Sequence, residues 1–407
     1  MTGHNAPLAA RPDNVPAELV VDFDILDPPG GKDDVHLAWK ALHKGPDIVW
    51  TPRHKGHWLV TRGEDIEFVQ KNYDPFSMTE ASFQKALMPE GSKIYRALPL
   101  DADPPEHTDL RALVTPFLTP KYVGDLEGAV RKLAVELIDG FQARGECEFI
   151  RDFALQLPIA IFLALTDLPA SDRLKLLEWT EYVTRGTSLE QRMEGFMRMD
   201  EYVGRLIAER RAKPGRDLIS AIVTARVYGR PINEEEVTAM CRTVLFGGLD
   251  TVASTMGFIA HFLATHPEHL QDLVANPQLI PNAVDEFMRR FGVSATGRVL
   301  TRDFDYKGVH FKQGDRVFVF GALYGLDDRK FENPLEVDFR RRNPIHAAFG
   351  NGVHRCPGSY LARTELRLFL EEWLKRIPEF HVKCGDKASF SPGQVNSVRY
   401  LPLQWDV

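Results

Sequence analysis

The chain has 407 residues, 44% hydrophobic and 26% charged, the balance of an ordinary folded protein. A net charge of −7 excludes a general nucleic-acid binder, which would be basic, and leaves room only for a local basic patch that docks an acidic protein. No stretch approaches the roughly 20 uninterrupted apolar residues of a membrane span, and the four cysteines, Cys147, Cys241, Cys356 and Cys384, lie too far apart for a disulfide framework or a structural zinc site.

The start, Met1 to Pro16, is polar and contains proline, so it reads as neither anchor nor secretory signal, and a cytoplasmic protein is expected. Residues 1–45 read as an extended arm with turn chemistry at Asp27-Pro-Pro-Gly-Gly31. Alternation around Ile48-Val49-Trp50 and His57-Trp58-Leu59-Val60 predicts a small hairpin within 46–62. Helical periodicity then dominates from Pro120 to Ala275, as in Val130, Leu133, Ala134, Leu137 and Ile138. Pro169, Lys213-Pro-Gly215 and Gly229-Arg-Pro231 break it into successive helices. The longest helix is expected to begin after Asn233, an N-cap followed by Glu234, Glu235 and Glu236, and to end near Thr265. Its middle is apolar on almost every face, which demands burial. A helix over Leu279–Phe291, β patterning over 297–320, loops over Leu326–Val353, a helix over Gly358–Arg376 and strands near Phe380–Val382 and Val398–Trp405 complete the chain. The fold class is therefore mainly α with a minor β part: one domain over 1–407, with an arm and β-rich part over 1–75 and a helical body over 76–407.

One segment carries the chemistry: Phe349-Gly-Asn-Gly-Val-His-Arg-Cys-Pro-Gly358. A lone cysteine is usually a small buried hydrophobe, the reading given to Cys147, Cys241 and Cys384. Cys356 differs, because glycines at 350, 352 and 358 let the backbone approach a flat object. His354, Arg355 and the helix starting just after it favour a thiolate. A single thiolate with no other cysteine nearby suits a metal that four other ligands already hold, and haem iron is such a metal.

Phe349, Gly352, His354, Cys356 and Gly358 at this spacing resemble the haem-binding signature of the cytochrome P450 family, whose cysteine thiolate is the proximal iron ligand. Three further features follow the family's order. Asp103-Pro-Pro-Glu106 before Arg111 and the closing Leu401-Pro-Leu-x-Trp405 resemble its bacterial camphor-hydroxylase branch. The resemblance implies a P450 fold and haem b, iron protoporphyrin IX ligated by Cys356.

Phe246-Gly-Gly-Leu-Asp-Thr251 lies inside the long helix. Gly247 and Gly248 each cost about 1 kcal/mol relative to alanine there. Either another helix packs tightly against them, or the cofactor and O2 need the space and the helix has reason to bulge. An acid beside an alcohol makes a proton relay, and the resemblance assigns Asp250 and Thr251 to proton delivery in O2 activation. Glu286 and Arg289, at i and i+3, are in isolation a surface pair. The resemblance makes them the family's structural ExxR lock. Glu336 stands where many members have the arginine that completes this lock, so Arg340 or Arg341 is expected to serve instead.

By resemblance Arg111, Arg298 and His354, with His107 as a further contributor, meet the haem propionates. Thr296 replaces an acidic residue of the camphor branch. Pro357 has no N–H to give to the thiolate, so either a donor at 357 is lost in this chain or the donors lie further along it. Tyr95, Leu100, Thr243, Phe246, Ser294 and Val395 would line the substrate pocket, with the Tyr95 phenol positioned to anchor a polar group.

The implied activity is a monooxygenase that hydroxylates a small hydrophobic, terpenoid-like molecule. Its two electrons would come from NAD(P)H through a reductase and a [2Fe–2S] ferredoxin that docks near Arg111 and Arg340-Arg-Arg342. The rivals are a peroxide-using haem-thiolate peroxygenase and a haem sensor without turnover. The Asp250–Thr251 relay argues against the first, and the lack of a spare output segment argues against the second.

Overall fold

In a computed structural model, residues 8–79, 96–185 and 188–407 are described. The arm is more structured than its turn residues suggest. Asp34 caps a short helix, α1 (Val35–Lys40), by accepting from the amides of His36 and Leu37, and Val35 and Trp39 bury against the body. The predicted hairpin forms β1 (Ile48–Thr51) and β2 (His57–Val60), with Trp50 opposite Trp58.

These two strands belong to a five-stranded sheet shared with β3 (Phe76–Ser77), β4 (Ala295–Leu300) and β5 (Arg316–Phe320), in the order β1-β2-β5-β4-β3. β5 runs parallel to β2 and antiparallel to β4, with Val317 opposite Arg298. Arg298 thus sits on a strand flanked on both sides, and its side chain is buried.

The body is helical. It includes α2 (Glu106–Val114), α3 (Pro120–Asp139), α4 (Arg173–Arg185), α5 (Leu189–Ala212), α6 (Glu234–Thr265), α7 (Ile280–Arg290) and α8 (Ser359–Arg376). The long helix α6 has 32 residues and starts with a full capping box between Asn233 and Glu236. By length and composition α6 would cross a membrane, but most of it is buried inside the protein. Its glycines are not equivalent. A Cβ at Gly257 would come within 2.9 Å of Ile150, so that half of α6 is packed tightly. A Cβ at Gly247 or Gly248 would meet nothing within 4 Å. Tight helix packing therefore does not explain the Gly-Gly pair. Nor does α6 bulge there: it stays α-helical throughout, and the Thr251 hydroxyl donates to Gly247 O at 3.2 Å.

α8 is tied to α3 by charges, with Arg131 bonding Glu371 and Glu372, and Arg367 bonding Glu127. Cys147 and Cys241 are buried as expected. Cys384 is exposed, because it lies in the turn after the edge strand His381–Val382 and not in the core.

Candidate haem and oxygen-activation site

The loop before α8 is held from three sides. Gly350 and Gly352 adopt φ of +69° and +70°, a left-handed backbone that disfavours other residues. At Gly352 a Cβ would also come within 2.8 Å of Gln70 O, so the loop lies directly on the helix Gly63–Lys71. Asn351 adds a side-chain bond to Gln70 at 2.8 Å. Cys356 N–H donates to Phe349 O at 2.8 Å and closes the loop on itself.

Cys356 is exposed as a residue, yet protein crowds its sulfur enough for desolvation to push the thiol pKa up. The Gly358 N–H and the charges of Arg111 and Arg355 act in the opposite direction. The backbone donor to the sulfur is thus Gly358, one residue beyond the proline that cannot donate. A coordinated metal would deprotonate such a thiol outright.

Beyond the loop, His107, Arg111, Arg298 and His354 gather around Asp103. Asp103 Oδ1 accepts from His354 Nε2 at 2.9 Å, and Oδ2 accepts from Ser77. Burial alone would raise the Asp103 carboxyl, but these bonds and the Met78 amide hold it near 2. The two histidine rings meet edge to face, 4.6 Å apart. Desolvation, with the His354 ring and the Arg111 charge nearby, lowers His107 to about 4. Arg298 is lowered to about 10 by desolvation alone, with only Asp103 opposing. Arg298 Nε, His354 Nδ1 and Thr296 Oγ1 are buried without hydrogen-bond partners. Buried polar atoms in that state are costly, so the Arg298 and Thr296 donors call for an anion that accepts from them. A pair of haem carboxylates fits that need, and open space along Gly247 and Gly248 fits a flat macrocycle. Arg111 differs from the other three: it donates to the carbonyls of Val353 and Arg355 and so braces the Cys loop itself.

The lock is fully buried, not a surface pair. Arg289 Nε and Nη2 donate to the two Glu286 oxygens at 2.8 Å each, and both side chains are 0% exposed. Arg289 also donates to the carbonyls of Gly325, Pro334 and Glu336, so position 336 contributes its backbone. Of the two candidate replacements, Arg341 bonds Glu286 and Arg340 turns away to Asp272.

Pocket candidates fare unevenly. Tyr95 lies outside the described residues. Leu100 is 37% exposed. Ser294 and Val395 are brought together by a β-bridge. Thr243 spends its hydroxyl on Ala239 O at 2.8 Å, so it offers a methyl group. Phe246 packs at a tilt against Phe196 of α5, ring centroids 5.5 Å apart. Phe196 went unnoticed in the sequence, since a lone aromatic on a polar helix gives no signal of what it faces.

The family model for cytochrome P450 matches residues 164–394. A probable cytochrome P450 127A1 of Sinorhizobium fredii is 32% identical over 97% of this chain and 96% of its own. The chain belongs to the cytochrome P450 family. The crystal structures of CYP101J2 and CYP101C1, each 39% identical, superpose with TM-scores of 0.88 and 0.90 over 98% of this chain and 100% of theirs. The fold is accordingly the P450 fold, the cofactor is haem b bound through a cysteine, and the enzyme is a haem-thiolate monooxygenase. Its likeness to the CYP101 structures agrees with the branch that the Asp103-Pro-Pro-Glu106 and Leu401–Trp405 segments resemble.

Proposed function

We propose that Cys356 is the cysteine that holds the haem iron, and that the enzyme hydroxylates a small hydrophobic, terpenoid-like molecule with electrons from a [2Fe–2S] ferredoxin. The observation carrying the site assignment is the pair of buried, partnerless donors Arg298 Nε and Thr296 Oγ1, with the Asp103–His354 pair that joins the cluster to the Cys356 loop.

Bound haem would supply the activation of O2 that inserts one oxygen atom into a C–H bond. The chain's own residues supply the rest. Gly358 N–H tempers the negative charge on the sulfur. Arg298 would neutralise the propionates, and Asp103 fixes the His354 ring beside them. Gly247 and Gly248 keep the helix flank clear. The Thr251 hydroxyl rests on Gly247 O through a 3.2 Å bond weak enough to exchange for a reacting partner. Asp250, half-buried beside it, hands protons inward.

Phe246, Phe196, the Thr243 methyl and Val395 give an apolar wall, which favours a compact hydrocarbon body. For docking, Arg355 and Arg342 are exposed, as are Val353, Tyr360 and Ile345 beside them in sequence. That mixed basic and apolar rim suits an acidic iron–sulfur protein. Arg340 and Arg341 are committed to Asp272 and Glu286.

The test of the substrate class is a spin-state titration with a terpenoid ketone and its matching hydrocarbon. One neutral hydrogen bond contributes about 1 kcal/mol. Tyr95→Phe should therefore weaken ketone binding several-fold and leave the hydrocarbon unchanged. Equal effects on both ligands would remove Tyr95 from the pocket, and no spin shift with any terpenoid would remove the substrate class.

A further inference from the structure

A second, half-buried charge cluster lies beside the Cys356 loop, separate from the Glu286–Arg289 lock. Asp285 is the residue immediately before Glu286 on α7, so the two carboxylates point about 100° apart around the helix. Asp285 Oδ1 accepts from Arg363 Nε of α8 at 2.6 Å. It also meets His346 Nε2 at 3.2 Å, and the His346 side chain is 4% exposed.

The histidine tautomer follows from its other nitrogen. Ala348 N–H donates to His346 Nδ1 at 3.2 Å, so Nδ1 carries no proton and the ring's single N–H is Nε2–H, donated to Asp285. Burial lowers the His346 pKa, which keeps the ring neutral. The Arg363 guanidinium, oriented by Asp285, lies 4.7 Å over the Phe349 ring. A flat guanidinium can bond a carboxylate and cover an aromatic face at once, which an ammonium cannot do. Phe349 in turn accepts the Cys356 amide at 2.8 Å.

We propose that Asp285, His346 and Arg363 are positioning residues that clamp Phe349 and, through its carbonyl, fix where the Cys356 sulfur stands relative to the iron. α7 thus carries two adjacent anchors. Glu286, with Arg289, holds the segment from Gly325 to Arg341. Asp285 holds the last loop residues before the cysteine and joins them to the helix after it. The proposal rests on Cys356 being the haem ligand and is independent of substrate.

The test uses holoenzyme carrying Arg363→Met, Arg363→Lys, Phe349→Leu, and Arg363→Met with Phe349→Leu combined. Two quantities are read together. One is the ferrous-carbonyl absorption band, whose long-wavelength position reports a thiolate ligand and whose shorter-wavelength position reports its loss or protonation. The other is the thermal unfolding midpoint by circular dichroism. Arg363→Met should raise the short-wavelength fraction about five-fold at a temperature well below unfolding, by loss of one stacked and hydrogen-bonded cation. Arg363→Lys should fall between wild type and Arg363→Met. The double variant should be no worse than Phe349→Leu alone, because both changes break one chain of contacts.

Wild-type carbonyl spectra in all variants would overturn the proposal, as would additive losses in the double variant or losses that only track the unfolding midpoint. Should Arg363→Met fail to fold, Arg363→Lys and Phe349→Leu decide by the same readings. A wild-type enzyme without the long-wavelength band would instead contradict thiolate ligation itself, so the two failures are distinguishable.

Discussion

Arg341 donates through Nε to Glu286 Oε1 at 3.2 Å, so a guanidinium five residues beyond Glu336 completes the lock beneath the Cys loop. The two arginines on Glu286 should be unequal. Arg289 is 0% exposed, and removing it leaves a buried carboxylate with only the longer Arg341 bond and the Asp338 amide, which costs about 3 kcal/mol. Arg341 is partly open to solvent, and its loss should cost about 1 kcal/mol. Arg289→Ala should yield protein almost without haem, whereas Arg341→Ala should retain most of its haem with a lower urea midpoint. Equal haem loss in the two variants would contradict this division.

Thr251→Ala removes one hydroxyl, whose present bond is to the helix's own carbonyl, so haem content and ligand binding should hardly change. General acid–base groups contribute about 10²-fold or more, so product per NADH should fall to roughly a tenth or below while hydrogen peroxide rises. Simultaneous measurement of NADH, peroxide and product checks this. Wild-type coupling would make Thr251 a packing residue.

Gly248 gives a prediction of opposite sign for two forms of the protein. A Cβ there meets nothing within 4 Å, so Gly248→Ala should stabilise the haem-free chain by about 1 kcal/mol. Gly248→Leu should preserve folding but cut haem uptake sharply, because its side chain fills the space reserved for the macrocycle. Full haem uptake by Gly248→Leu would show that the space serves another purpose.

His57 links stability to pH. It is 1% exposed on β2, packed edge-on against Phe318, and desolvation lowers its pKa to about 3. An unfolded histidine titrates near ~6.5. Between those values the unfolded chain takes up a proton that the folded one refuses, so stability is full above about 6.5 and falls as pH drops towards 3. His57→Phe should flatten the acid side of a Tm–pH curve, by about 2 °C at pH 5. An unchanged slope would assign the acid sensitivity to other groups, His36 first, which burial holds near 4.

The parts most legible in the sequence were those whose cause is local. Asn233 with Glu236 marks the start of α6, and the alternation around Trp50 and Trp58 marks the hairpin, because caps and pleats act on near neighbours. The candidate site residues come from motifs, since spacing around Cys356 reports one loop. What depended on distant partners was not legible. Gly247, Gly248 and Gly257 look alike in sequence, and only packing separates open space from tight contact. Asp103, the hub of the propionate cluster, stood inside a motif quoted for its resemblance alone, with no hint that Ser77 and His354 would converge on it. The Asp34 cap on α1 was overlooked because the flanking prolines and glycines dominate that stretch.

The most direct measurement is single-turnover and steady-state oxidation of a terpenoid ketone under ¹⁸O2, with NADH, a reductase and a [2Fe–2S] ferredoxin. The predicted result is a hydroxylated product carrying one heavy oxygen atom, formed in proportion to NADH and lost in Cys356→Ala. Product that forms only with added peroxide and carries no oxygen from O2, or turnover that survives Cys356→Ala, would contradict a ferredoxin-driven monooxygenase built on Cys356.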